Sequence, residues 1–150
     1  MISFIRTDSE NADFRKLVAL LDEELAQRDG SDHSFYAQFN KVDSIKNVVV
    51  AFLHDTPLAC GAFKPFDIEA VEIKRMYVME EERGKGLAGK VLTALEYWAK
   101  ELGYQKSVLE TGIRQPEAIA LYKKMGYSVT PNYGQYIGIE NSVCFEKQGL

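Results

Sequence analysis

AVEIKRMYVMEEERGKGLAGKVLTALEYWAKELG, Ala70 to Gly103, reads as a strand, a glycine loop and a helix in immediate succession. Ala70 to Val78 is the strand. From Leu87 to Leu102, residues Leu87, Val91, Leu92, Leu95, Trp98, Ala99 and Leu102 fall on one helical face, and Gly103 ends the helix. Between them lies RGKGLAG, Arg83 to Gly89. A helix N-terminus presents unpaired N–H groups and the positive end of the dipole, and glycines let that backbone come close to phosphate oxygens. Lys85 and Lys90 lie near the first turn, which holds no Asp or Glu where acidic residues are normally favoured, so a bound anion could supply the missing charge. For that to work, Glu80, Glu81 and Glu82 have to point away from the loop.

Gly84, Gly86 and Gly89 also spell GxGxxG, with Glu110 about twenty residues on, as a Rossmann dinucleotide fingerprint requires. Three features oppose that reading. Five residues separate Val78 from Gly84, too long for a glycine turn at a strand end. Glu72, Lys74 and Arg75 interrupt a strand that would have to be apolar on both faces in a parallel sheet. Too little chain remains for a second nucleotide-binding half. A glycine-rich turn that merely starts a helix is the remaining alternative.

Outward from this stretch, Ile2 to Arg6 reads as a strand. Asp8 or Ser9 can cap a helix carrying Phe14, Leu17, Val18, Leu21 and Leu25, which stops by Gly30. Residues 31–46 read as a loop with a short helix. NVVVAFLHD is a buried strand, DTP a turn and LACGAFKPF the hairpin partner. After Gly103, SVLE is a short strand, Pro116 opens a helix that Gly126 terminates, and strands around Tyr127–Val129 and Ser142–Glu146 finish a mixed α/β order.

The 150 residues suit one domain, 1–150, able to bury about 70% of its unfolded surface in one core. The chain is 46% hydrophobic and 27% charged and has no apolar run of bilayer-spanning length, which points to a soluble protein without a membrane partner. A net charge of −4 argues against nucleic acid as a partner. MISFIRTDSE lacks the features of a secretory signal, so a cytoplasmic location is expected. Cys60 and Cys144 have neither CxxC spacing nor neighbouring histidines, and His33 and His54 are isolated; no metal site is expected.

The glycine loop together with its neighbours resembles the GNAT-type acetyltransferase superfamily, whose pyrophosphate loop reads Gln or Arg, two residues, Gly, one residue, then Gly or Ala. Here those are Arg83, Gly86 and Ala88. VEIKRMYV, VLTALEYWAKELG and AIALYKKMGY follow the family's segments in order and spacing, and the resemblance spans roughly Val48 to Val129. It implies a mixed, splayed seven-stranded sheet flanked by about four helices, with acetyl-CoA as co-substrate. Its pantetheine arm would pair with the backbone of Met76, Tyr77 and Val78. Arg83, Gly84, Lys85, Gly86, Leu87 and Ala88 would hold the pyrophosphate. Many family members carry Asn three residues before the alanine of the second cofactor segment; Gln115 stands there, before Ala118. Family members often form dimers, which leaves a homodimer open.

Acetyl transfer to an amine requires a neutral nitrogen, whereas an alkylamine has a pKa of about 10.4. Glu72 matches the position where some family members place a general base; its other readings are a solvated carboxylate or a partner for Lys74 on the same strand face. Tyr122 matches the family tyrosine that protonates the leaving thiolate, although Ile119, Tyr122 and Met125 also share a helix face that a core would use. A backbone N–H near Tyr77 would polarise the thioester carbonyl. Cys144 lacks a visible partner base, so direct attack in a ternary complex is favoured over an acyl-enzyme. Phe35, Tyr36, Phe39, Tyr133 and Tyr136 can line an acceptor pocket or pack loops. The expected acceptor is a primary amine of a small molecule or peptide. The alternative is a non-catalytic acetyl-CoA-binding sensor of the same fold.

Overall fold

In the computed structural model, which describes residues 1–30 and 44–150, the strand expected from AVEIKRMYV is the centre of a seven-stranded sheet. The strands are β1 (Ile2–Thr7), β2 (Asn47–Leu53), β3 (Thr56–Pro65), β4 (Ala70–Val78), β5 (Lys106–Gly112), β6 (Ser128–Thr130) and β7 (Ser142–Gln148), arranged in the order β1-β2-β3-β4-β5-β7-β6. Every adjacent pair is antiparallel except β4 and β5. Those two are parallel and share only the pairs Ala70–Lys106, Val71–Ser107 and Glu72–Val108. Beyond Glu72 the sheet splays. One parallel pair in an otherwise antiparallel sheet excludes the doubly wound Rossmann arrangement.

The described helices are α1 (Ala12–Asp29), α2 (Leu87–Glu101) and α3 (Pro116–Lys124), with single 3₁₀ turns at Glu80–Glu82 and Gly134–Tyr136. About four helices were expected; the short one anticipated within 31–46 lies almost wholly outside the described residues. Strand alternation puts helices on both faces of the sheet. Val48 and Val50 meet Phe14, Leu17 and Val18 of α1 on one face. Val49 and Ala51 meet Leu87, Val91, Leu92 and Leu95 of α2 on the other. This double burial explains why β2 reads VVVA without polar interruption. Trp98, expected in the core, is half-buried and stands edge-on to Phe63 at 5.7 Å.

Two local expectations are corrected. The cap of α1 is Asn11, whose Oδ1 accepts from the Phe14 N–H at 2.9 Å. Asp8 instead accepts from the Glu10 N–H in the preceding turn, and the Ser9 hydroxyl accepts from the distant Ile45 N–H, so neither caps the helix. The β2–β3 turn is His54–Asp55 rather than DTP: His54 takes the left-handed conformation (φ 57°), and Thr56 and Pro57 already pair with Leu53 and Phe52.

One irregularity positions the site. Cys60 pairs with Tyr77 and Ala62 with Lys74, so β4 carries an extra residue there. The bulge contains Arg75, a non-glycine residue at φ 58°. Opposite it, a Cβ on Gly61 would lie 2.5 Å from Met76 Sδ, 2.8 Å from Leu95 Cδ1 and 3.0 Å from Val91 Cγ1. Gly61→Ala is therefore expected to cost about 1–3 kcal/mol through overpacking, measured as a lowered urea midpoint at unchanged slope; full stability in the mutant would show that the bulge tolerates displacement.

Candidate active site

Where β4 and β5 part, two spaces open side by side. The larger, of about 330 Å³, has Met76, Tyr77 and Val78 of β4 on one wall and Gln115 with Ala118 and Tyr122 of α3 on the other. Its remaining wall is the glycine loop with the start of α2: Arg83, Gly84, Gly86, Leu87 and Ala88. Gly84 and Gly86 adopt φ of 81° and 78°, and a Cβ at either would meet nothing within 4 Å, so their backbone faces open space. Gly86 is the N-cap residue of α2, and no acidic residue stands in the helix's first turn. Gln115 occupies the N-cap position of α3 without a side-chain capping bond.

Lys85, grouped with the loop by sequence, does not line this cleft; its ammonium donates to Glu82 at 3.2 Å. Nor do all the upstream carboxylates turn away, since Glu82 lines the cleft, with Lys85 as its counter-charge. The Arg83 guanidinium, which lines the cleft, is also engaged within the protein. Its Nε donates to the Val78 carbonyl at 3.0 Å, its Nη2 to Glu24 of α1 at 2.8 Å, and it lies 5.5 Å from the Tyr77 ring centre.

The smaller space, about 120 Å³, is lined by Glu72, Lys74 and Arg75 of β4, Glu110 and Thr111 of β5, and Tyr136. Pairing of Glu72 with Val108 puts Glu72, Lys74 and Glu110 on one face of the sheet, because residues two apart on a strand share a face. Leu21, Met76, Gln115, Ala118 and Tyr122 line both spaces, so the cleft and the cavity meet at Tyr122.

Glu72 is buried, and its Oε2 accepts from the Tyr133 hydroxyl at 2.8 Å. Tyr133 is itself braced edge-on by Phe66 at 4.9 Å and Tyr136 at 5.8 Å. Burial, reinforced by the Glu72 charge, holds the Tyr133 phenol far above its ordinary pKa, so it donates to the carboxylate. Lys74 is buried too; desolvation lowers its pKa and the Glu72 charge works against that shift. Tyr122 is 6% exposed, with its ring against Tyr127 and Phe145. Burial, then the Glu110 charge, raises its pKa, which keeps the hydroxyl protonated. Burial pushes the thiols of Cys60 up to about 12 and Cys144 up to about 11, so neither supplies a thiolate nucleophile near neutrality. Among the described residues no group of three or more His, Cys, Asp or Glu could hold a metal.

Sequence reasoning missed four participants. Arg75 was visible only as a charge that spoiled a parallel-strand pattern, Lys74 as that and as a possible partner for Glu72, and Glu110 only as a dinucleotide acid. Glu24, the partner of Arg83, carried no signal of its own in the sequence. Of the aromatic residues, Tyr133 and Tyr136 reach this region, whereas Phe35, Tyr36, Phe39 and His33 lie outside the described residues.

A sequence model of the acetyltransferase (GNAT) family matches residues 11–127. Among curated proteins, the chain is similar to an IAA acetyltransferase of Azospirillum brasilense, 36% identical over 101 residues, covering 66% of this chain and 65% of that protein. It is also similar to an uncharacterised N-acetyltransferase of Schizosaccharomyces pombe, 30% identical over 145 residues, covering 88% and 85%. Among solved structures, a Klebsiella pneumoniae protein whose assignment as an acyl-CoA N-acyltransferase is itself inferred superposes with a TM-score of 0.83 at 28% identity, over 100% of this chain and 99% of that one. The PaiA N-acetyltransferase of Thermoplasma acidophilum, solved with coenzyme A, superposes with a TM-score of 0.73 at 17% identity over 99% of each chain, a likeness of fold. With its splayed sheet and its glycine loop at the head of α2, this chain belongs to the GNAT family of acetyltransferases.

Proposed function

We propose that residues 1–150 act as one domain that transfers acetyl from acetyl-CoA to a primary amine of a small molecule or peptide, by direct attack in a ternary complex. One observation carries this reading: an open glycine-loop cleft and a carboxylate-lined cavity meet at a buried, protonated tyrosine. The cleft suits a CoA thioester. Gly84 and Gly86 leave room for phosphate oxygens at the positive end of α2, and Met76–Val78 offer strand backbone where β5 has splayed away. The residues proposed to hold the co-substrate are Met76, Tyr77, Val78, Arg83, Gly84, Gly86, Leu87, Ala88 and Gln115. Lys85 remains in the proposal only as the counter-charge of Glu82. When bound, acetyl-CoA supplies an acetyl group activated as a thioester.

The side chains do the rest. Glu72 takes the proton from the acceptor's ammonium and so exposes its lone pair. Tyr133 holds the Glu72 carboxylate in one orientation through Oε2. Tyr122 keeps a proton on its hydroxyl, ready for the departing sulfur, and its burial excludes water from the junction. The cytoplasm is the proposed location, in keeping with two buried free cysteines.

Calorimetric titration with acetyl-CoA, with NADH as control, tests the reading. Saturable binding of acetyl-CoA alone supports it, and no binding by folded protein removes it. Glu72→Gln is expected to lower kcat by about 100-fold near neutral pH. That deficit should shrink as the pH approaches the amine's own pKa of about 10, where the acceptor loses its proton unaided. A pH–rate profile parallel to that of the unsubstituted enzyme would take the base role away from Glu72.

A further inference from the structure

The cavity's lining carries both signs of charge, and one of its cations is incompletely used. Arg75 is 5% exposed and lines the cavity. A guanidinium offers five N–H donors. The Nη2 of Arg75 is held by Asp22 of α1, whereas its buried Nε has no hydrogen-bond partner among the described residues. A buried donor of a charged group left without an acceptor is costly, and native structures keep few of them. Arg75 is also the bulge residue at φ 58°, a conformation unfavourable for any side chain with a Cβ. The strand thus carries backbone strain at a residue that lines the cavity.

Lys74, the next residue, lines the same space and is buried with it. Glu72 and Glu110 bring negative charge to the same lining. A polyamine would set its second ammonium against Lys74 and Arg75. An uncharged arylamine would leave the Arg75 Nε–H unsatisfied. A molecule with an ammonium at one end and a carboxylate at the other meets both requirements.

Resting on the acetyl-transfer reading above, we infer that the acceptor is a zwitterionic amine of the amino-acid class, with its carboxylate anchored by the Nε–H of Arg75 and its ammonium turned toward Glu72. Arg75 then determines specificity, and Asp22 orients it. The volume of about 120 Å³ restricts the buried part of the acceptor to the amine, the carboxylate and a short connection.

The test measures thiol release by the full chain with acetyl-CoA and a panel of free α-, β- and γ-amino acids, each beside its amide and its decarboxylated amine. The best free acid is expected to exceed its amide and its decarboxylated amine in kcat/KM by about 10- to 100-fold, the range for a hydrogen bond to a charged partner. Arg75→Lys keeps the positive charge but loses the Nε–H fork, and should shrink that ratio to a few-fold at unchanged acetyl-CoA affinity. Amides or decarboxylated amines that equal or surpass the acids with the unsubstituted enzyme overturn the inference without any variant. Retention of the full ratio by folded Arg75→Lys overturns the anchor. Acetyl-CoA binding with no turnover of any amine sinks the transfer reading itself, and this inference with it.

Discussion

Tyr122→Phe is expected to lower kcat by about 100-fold or more, as loss of a positioned acid does, while acetyl-CoA affinity stays within about threefold of the unsubstituted enzyme. The split follows from the two halves of the side chain. Its ring packs against Tyr127 at 5.9 Å and Phe145 at 6.0 Å, contacts that phenylalanine keeps. Its hydroxyl belongs to a residue lining both spaces, and burial holds the proton on it across the working pH range. Pre-steady-state thiol release together with equilibrium titration separates the two quantities. Equal losses in rate and affinity would reduce Tyr122 to a packing residue, and an unchanged rate would assign the proton to another donor.

The second large effect is expected at Gly86. Gly86→Val places a β-branched residue at φ 78°, costing about 1–3 kcal/mol of stability. Its side chain also enters the open space before the α2 N-terminus, so acetyl-CoA affinity should drop on the order of 100-fold or further. Gly103 supplies a matched control. It too has positive φ, 96°, and no neighbour within 4 Å of a Cβ, but it lies at the other end of α2 and lines neither space. Gly103→Val should show a comparable fall in melting temperature with affinity intact. Equal affinity losses in the two variants would trace the effect to strain in α2, and a Gly86→Val protein that binds normally would move the phosphates off this loop.

The parts of this architecture that were legible in sequence are those written in local chemistry. The apolar face from Leu87 to Ala99 and the glycines before it announce α2 and its open N-terminus, because periodicity and positive φ both leave marks on residue type. Nothing local marks the bulge at Arg75, since an arginine in left-handed conformation looks like any other strand arginine. The extent of the splay depends on where pairing between β4 and β5 ceases, after Glu72 and Val108, thirty-six positions apart in the chain. The hydrogen bond from Tyr133 to Glu72 joins residues 61 apart, and the hold of Glu24 on Arg83 joins residues 59 apart. Such contacts arise from the tertiary arrangement, which is why Glu72 was readable as a candidate and its orienting partner was not. Asn11 displaced Asp8 and Ser9 as helix cap partly for a related reason: three cap-forming residues lie within four positions, the Glu10 N–H takes Asp8, and a contact with Ile45, 36 positions on, takes Ser9.

The short seam between β4 and β5 also bears on how the molecule responds to load. Strands β1–β4 form one plate and β5–β7 another, and within the sheet only the three residue pairs from Ala70–Lys106 to Glu72–Val108 join them. A ladder that short leaves the joining of the plates to the apolar core they share and to Glu96 of α2, which accepts from Tyr127 and from Lys147 of β7, while the edges of the gap past Glu72 stay untied by any backbone pairing. α2 packs chiefly on β2, β3 and β4, which makes the first plate the stiffer one. Anything that lies in the gap and grips both edges becomes a cross-brace, and the work of stiffening the sheet passes from the chain to its occupant.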